Sequence, residues 1–179
     1  MRHYHRQSIR IRGWHYASPG WYFLTFGTWG RRRLLAEVRD RRICLTPAGR
    51  VVEASWHAIP THFPGVTLDA FVVMPDHVHG LLHLDNPRPA AGDGERALWS
   101  GHGPPPRSVG AIIGSLKSAS SREIRRCWPD APPRIWHRNY YERLIDTEPM
   151  LHIIRRYIAL NPPRLIAKFH PPRRAARPG

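Results

Sequence analysis

Four residues have the types and spacing to carry chemistry: His77 and His79, two apart, and Tyr157 and Asn161, four apart. His77-Val78-His79 sits in an apolar run, and in a strand alternate side chains share a face. Two imidazoles on one strand face make a ready ligand pair for a divalent metal. On a predicted helix Tyr157 and Asn161 fall one turn apart, one above the other. That helix should end at Asn161-Pro162-Pro163, freeing the Asn161 amide to reach outward. An amide oxygen suits a hard cation, Mg²⁺ or Mn²⁺, better than Zn²⁺. Such a cation would act as a Lewis acid on a phosphodiester. Tyr157 is then the natural attacking group. A phenol ionises only near pH ~10, so charge from the metal, Arg155 or Arg156 would have to lower its proton affinity. Each piece also has a plainer use: His-x-His motifs often serve structure, and a helical tyrosine usually packs into a core.

Tyr140 and Tyr141 are rival nucleophiles, but a strand points them to opposite faces and neither has a ligand partner one helical turn away. His83 shares the face of His79 yet lies ~13 Å along the strand, too far for the same ion.

The elements that must position these residues follow from local pattern. Trp21 to Trp29 is rich in aromatics and Thr, which favours a strand. Arg31, Arg32 and Arg33 come next in a loop. Thr46-Pro47 supplies a capping hydroxyl and a proline at the first helical position, so a helix should run to about Ile59, with Val51, Val52, Ser55 and Ile59 as its apolar stripe. Val66, Leu68, Ala70, Val72 and Met74 alternate as a strand, turned by Pro75-Asp76 into the histidine strand. Ser108 to about Trp128 is helical, with Val109, Ile112, Ile113, Leu116 and Ala119 inward and Gly114, Ser118, Arg122 and Arg125 on another side. Ile135 to Ile145 reads as a last strand, and Glu148-Pro149 opens the final helix. The order β-α-β-β-α-β-α is a split βαβ pattern: a ferredoxin-like α+β fold with an antiparallel sheet, helices on one face and the other face free for a substrate, plus a C-terminal helix carrying the tyrosine.

At 179 residues the chain is read as one domain, 1–179, with a basic arm over 1–19, a Pro- and Gly-rich loop over 86–107 and a basic disordered tail over 165–179. It holds 28 Lys and Arg against 13 Asp and Glu, a net charge of +15, with an isoelectric point near 11.3. That balance points to a polyanionic partner, nucleic acid first, although a merely basic soluble protein has the same charge. Expected phosphate contacts are Arg10, Arg12, Lys117, Arg122, Arg125, Arg155 and Arg156. Cys44 and Cys127 lack any CxxC spacing, which argues against a zinc knuckle or a disulfide framework and fits a reducing cytoplasm. No signal peptide is read at the N-terminus, and no apolar run approaches the ~18 residues that span a membrane.

His77-Val78-His79 resembles the HUH motif of single-strand DNA nucleases and transposases. The wider text is similar to the REP-associated tyrosine transposases, relatives of the single-tyrosine transposases of small insertion sequences. The matching pieces are Ser8-Ile9-Arg10 with Tyr16 and Ser18; Trp21 to Thr25; Leu68 to Gly80; Gly110 to Ile113 with Lys117-Ser118; Trp136 to Glu142; and Tyr157 to Pro162. The resemblance implies that Tyr157 attacks the DNA backbone to form a 5′-phosphotyrosine, with His77, His79 and Asn161 holding the metal. It implies single-stranded or hairpin DNA of the repetitive extragenic palindrome type as substrate, and a bacterial, nucleoid-associated location. Relatives include monomers and homodimers. Asp76 stands where Asn is expected and Arg143 where His is frequent; neither is expected to touch the chemistry. Two other readings stay open: a metal-dependent phosphodiesterase using water as nucleophile, and a non-catalytic binder of DNA hairpins.

Overall fold

Alternating aromatic and aliphatic residues over Gly20–Gly27 form β1, whose Tyr22, Leu24 and Phe26 are fully buried. The computed structural model describes residues 18–85, 104 and 106–169. Residues 1–17 of the expected arm, with Arg10 and Arg12, most of the expected 86–107 loop, and the tail from 170 lie outside the described residues.

After a short 3₁₀ turn at Trp29–Arg31 the chain forms β2 (Ala36–Arg39) and β3 (Arg42–Leu45), α1 (Pro47–His57) and the single turn α2 (Ile59–His62). Then come β4 (Val66–Val73), β5 (His77–Leu84), α3 (Val109–Cys127), β6 (Tyr141–Ile145) and α4 (Glu148–Phe169). The main sheet has the order β4-β5-β1-β6 with every pair antiparallel. With α1 between β1 and β4 and α3 between β5 and β6, this is the split βαβ arrangement of a ferredoxin-like α+β fold.

The two helix starts behave as their caps dictate. Thr46 Oγ1 accepts from the Gly49 N–H at 3.1 Å, and Ser108 Oγ accepts from the Ala111 N–H at 3.2 Å. Helices α1 and α3 pack on one sheet face, burying Val52, Trp56, Ile112, Ile113, Leu116 and Ile124 against β1, β4 and β5. On α3 the inward position expected for Ala119 falls to Ser120, which donates to the Leu116 carbonyl and accepts from Trp136 Nε1. The opposite sheet face carries a smaller core of Phe23, Leu81 and Ile145 with Leu151, Ile154 and Ile158 of α4. Helix α4 thus covers part of the face expected to stay free.

Four local expectations are corrected. The hairpin β2–β3 is absent from the expected order because its Asp40-Arg41 turn, with both residues left-handed (φ 47 and 58), lacks the glycine that usually marks such a turn. In β4 a bulge between Leu68 and Phe71 flips the alternation, so Ala70 and Val72 face α4 while Val66, Leu68, Phe71 and Val73 face α1 and α3. The expected Ile135–Ile145 strand is paired as a strand only from Tyr141, after a single bridge of Trp136 to Thr28. Between them, Lys117 Nζ takes the carbonyls of His137, Arg138 and Asn139 at 3.0, 3.4 and 3.2 Å. Finally, α4 does not stop at Asn161-Pro162-Pro163 but continues to Phe169, so 165–169 are helix and not tail. Proline removes a donor but keeps φ in the helical range, so the backbone can carry on at the cost of hydrogen bonds to the carbonyls of Ile158 and Ala159.

Among the described residues no helix is long and apolar enough to cross a membrane.

Candidate functional site

The hairpin of β4 and β5 turns at Pro75-Asp76, where the Met74 N–H donates to the His77 carbonyl at 2.8 Å. On leaving the turn, β5 sends Val78, Leu82 and Leu84 into the core beneath α1 and α3. His77 and His79 therefore emerge together on the α4 face. Their Nε2 atoms are 3.2 Å apart. Each ring is fixed from behind: His77 Nδ1 lies 2.6 Å from Asp76 Oδ1, and His79 Nδ1 lies 2.8 Å from Thr25 Oγ1. Thr25 is the cross-strand partner of His79, and Gly27 that of His77. Asp76 is held in turn by Arg31, Nε to Oδ2, at 3.0 Å.

This geometry decides what the pair can do. A carboxylate at Nδ1 makes His77 donate there and leaves the Nε2 lone pair facing His79. Two nitrogens this close are satisfied by a shared proton or by one cation touching both. His79 is buried, 5% exposed. Burial first, then the charges of His77 and Arg31, pull its pKa down to about 4, so it is neutral at pH 7 as a ligand must be. The ring-to-carboxylate contact is the usual outer support of a metal-binding histidine. The donor set fits a divalent cation. Among the described residues no cluster of three His, Cys, Asp or Glu side chains forms, so a third ligand drawn from them would be of another type.

Helix α4 brings Tyr157 to this spot. Its ring centroid is 5.2 Å from that of His79 and 5.9 Å from that of Phe23, edge-on to Phe23. Ile154 and Ile158, buried on either side in sequence, seat the helix. Asn161 lies one turn further on, where its Nδ2 donates to the Tyr157 carbonyl at 2.7 Å; this leaves its Oδ1 as the atom that could face a ligand. The extension of α4 past the prolines puts the Arg164 guanidinium 5.9 Å from the Tyr157 ring. Arg164, which the sequence reading did not single out, thus stands beside the phenol, while Arg155 is held by Asp69.

The other expected residues are dispersed. Arg155 is committed to Asp69 of β4 by three hydrogen bonds of 3.2, 3.1 and 2.7 Å, and Arg156 is exposed on α4. Lys117, Arg122 and Arg125 belong to α3, on the far side of the sheet from the histidines. There Lys117 bonds the three loop carbonyls, Arg125 donates to the Pro133 carbonyl at 2.7 Å, and Arg122 is exposed. Burial pulls Lys117 down to about 8, which still leaves it charged at pH 7. His83 packs at a tilt against Trp21, ring centroids 5.0 Å apart, away from the pair. Tyr141 packs edge-on to Phe23 at 6.1 Å, on the site face, while Tyr140 turns to the other core and donates to Glu142. Sequence reasoning missed Thr25, Arg31 and Asp76. Asp76, expected to stand apart from the chemistry, in fact grips a ligand candidate; its position directly before His77 in a tight turn was the available signal. Thr25 became visible only through strand register, and Arg31 only through the fold of the turn that brings it to Asp76.

No family model matches the chain. A Haemophilus influenzae (strain ATCC 51907 / DSM 11121 / KW20 / Rd) protein, described as an uncharacterized protein, is 30% identical over 162 residues, covering 89% of both chains. A REP-associated tyrosine transposase bound to a REP hairpin superposes with a TM-score of 0.60 at 18% identity, over 89% of this chain and 74% of that one. A putative transposase from Deinococcus radiodurans R1 gives 0.50 at 22% identity, over 84% and 96%. The fold is that of these transposases, as the resemblance in the sequence implied. The chain belongs to one family with the Haemophilus protein.

Proposed function

We propose that the protein is a metal-dependent transposase-type enzyme that nicks and rejoins single-stranded or hairpin DNA through a 5′-phosphotyrosine. One observation carries the reading: a tyrosine of α4 stands 5.2 Å, ring to ring, from one of two histidines whose Nε2 atoms converge. The fold shared with a transposase bound to a REP hairpin supports palindromic hairpin DNA as the substrate class.

His77 and His79 would hold a divalent cation, Mg²⁺ or Mn²⁺, with the Asn161 amide oxygen as third ligand. When bound, the ion supplies Lewis-acid polarisation of the scissile phosphate. The protein's own part is positioning. Asp76 and Thr25 fix the two rings so that no reorganisation is needed when substrate arrives. Arg164 places positive charge beside the nucleophile and the phosphate it approaches. The phenolic oxygen of Tyr157 forms a bond to phosphorus while the bond from phosphorus to the 3′ oxygen breaks. This leaves a 3′-hydroxyl and a DNA 5′ end esterified to Tyr157. Attack of a 3′-hydroxyl on that ester reverses the step, rejoins the strand and frees the tyrosine. The proposed setting is the bacterial cytoplasm, at the nucleoid; both a monomer and a homodimer are compatible with the site.

The test is incubation with a 3′-end-labelled single-stranded palindrome and Mg²⁺ or Mn²⁺, followed by denaturing electrophoresis. A labelled protein band that vanishes in Tyr157→Phe and with chelator is the expected result. Cleavage that persists in Tyr157→Phe but is lost in His77→Ala assigns the attack to water. Tight binding indifferent to chelator, with no cleavage, assigns a hairpin-binding role.

A further inference from the structure

The 3₁₀ turn after β1 holds a large aromatic out into solvent, two residues past Gly27, the cross-strand partner of His77. Trp29 is 38% exposed, yet its backbone is not loose. The Trp29 N–H donates to the Ile135 carbonyl at 2.8 Å, and the Thr28 N–H donates to the Asp76 carbonyl at 2.9 Å. Thr28 Oγ1 adds bonds to the carbonyls of Arg32 and Asp76 at 2.7 and 3.1 Å. The turn then runs through two left-handed residues, Gly30 (φ 64) and Arg31 (φ 57). An arginine in that region is strained, and such strain persists where the surroundings over-determine it, often next to functional sites. Here the strained residue hands its guanidinium to Asp76. Asp76 therefore ties both ends together: its carbonyl anchors the turn bearing Trp29, and its carboxylate orients His77.

The indole is already arranged for stacking. His137 lies nearly parallel to it, centroids 6.0 Å apart and planes at 18°, with its Nδ1 fixed as acceptor of the Asn139 N–H. The exposed Arg134 guanidinium sits 4.9 Å from the Trp29 ring centroid. Arg31, Arg32, Arg33 and Arg138 make the same edge strongly positive and exposed. We propose that Trp29, backed by His137, is a stacking platform for an unpaired nucleobase of the DNA next to the cleaved bond. This deepens the single-stranded DNA reading above and rests on it. An exposed guanidinium–indole contact is weaker than base–aromatic stacking, so an arriving base displaces Arg134. The released guanidinium is then at hand for the phosphate of that same nucleotide. Stacking tolerates any base, so the platform contributes grip on the unpaired flank rather than sequence choice.

The experiment is equilibrium binding by fluorescence anisotropy in chelator, with two labelled probes: a DNA hairpin with an unpaired flank, and the same hairpin without it. Trp29→Leu keeps apolar volume and loses the π face; Trp29→Phe keeps a smaller π face and controls for folding. Loss of one base stack corresponds to about tenfold in Kd. The expected result is about tenfold weaker binding of the flanked hairpin by Trp29→Leu, near-normal binding by Trp29→Phe, and unchanged binding of the flankless hairpin by both. An abasic site scanned along the flank should weaken wild type at one position and add nothing there in Trp29→Leu. Equal losses on both probes, no loss in Trp29→Leu, or additive losses at every abasic position overturn the platform. Because cutting is not read, absence of a phosphotyrosine leaves this result standing. A wild-type protein that binds neither probe overturns the DNA reading and the platform together.

Discussion

A carboxylate holds His77 and a hydroxyl holds His79, and the two supports are not equivalent. Asp76 fixes the tautomer of His77 and leaves its Nε2 for the proposed cation, whereas Thr25 can donate or accept and adapts to either tautomer of His79. Removing the carboxylate in Asp76→Ala should therefore weaken Mn²⁺ affinity by roughly 10- to 100-fold, read by metal titration of the free protein, with Asp76→Asn intermediate. Unchanged affinity in Asp76→Ala would mean that the carboxylate serves only Arg31. Gly80, directly after the histidines, has a different duty on the other sheet face. A Cβ there would press on the Trp56 ring, 2.8 Å from Cζ2, where Trp56 is fully buried and stacked on Phe71. Gly80→Ala should cost about 1–3 kcal/mol by overpacking, visible as a lowered Tm even without metal or DNA.

The helix that carries Tyr157 is positioned by one polar clamp and a short apolar stripe. The bulge in β4 sets Asp69 and Ala70 on the α4 side, and Asp69 meets Arg155 in a forked contact that also lays the guanidinium 5.5 Å from the Trp21 ring. Burial by itself would raise the Asp69 pKa, but the Arg155 and Ala70 hydrogen bonds outweigh it and hold the group below its usual range. The sign follows. A carboxyl depressed in the folded state adds stability that is present above its unfolded pKa of ~3.9 and is lost as pH falls through the lower folded value. Asp69→Asn should cost about 1–2 kcal/mol at neutral pH, and its difference from wild type in urea denaturation should close as pH falls below ~4. A difference that stays constant with pH would assign the loss to shape and not to charge.

For the whole molecule the relevant quantity is the net charge of +15. Arginines lie exposed on α3, on α4 and along the Trp29 edge, on both sides of the sheet, so many phosphates can be neutralised at once. Hairpin affinity should then fall by roughly 10³ or more between ~50 and ~200 mM salt, measured with the flanked probe. A shallow salt slope would leave the charge unconnected with DNA.

The histidine pair, its shared face and the core-facing alternation of β5 were legible because a strand has period two and the motif sits in an uninterrupted apolar run. Tyr157 and Asn161 were legible as neighbours on one helix for the same kind of reason, local periodicity. The element order of the main sheet followed from caps and turns; the separate β2–β3 hairpin did not, because its turn lacks glycine. Local pattern was silent on everything that depends on which strands adjoin and where a helix docks. Thr25 reaches His79 through pairing across 54 positions, and Arg155 reaches Asp69 across 86. The bulge that reversed half of β4 and the passage of α4 through two prolines, which sets Arg164 over the phenol, likewise arise from tertiary packing. Sequence by itself determined which groups could do chemistry; only the folded chain decided which of them meet, because the contacts that join them are made between residues far apart in the chain.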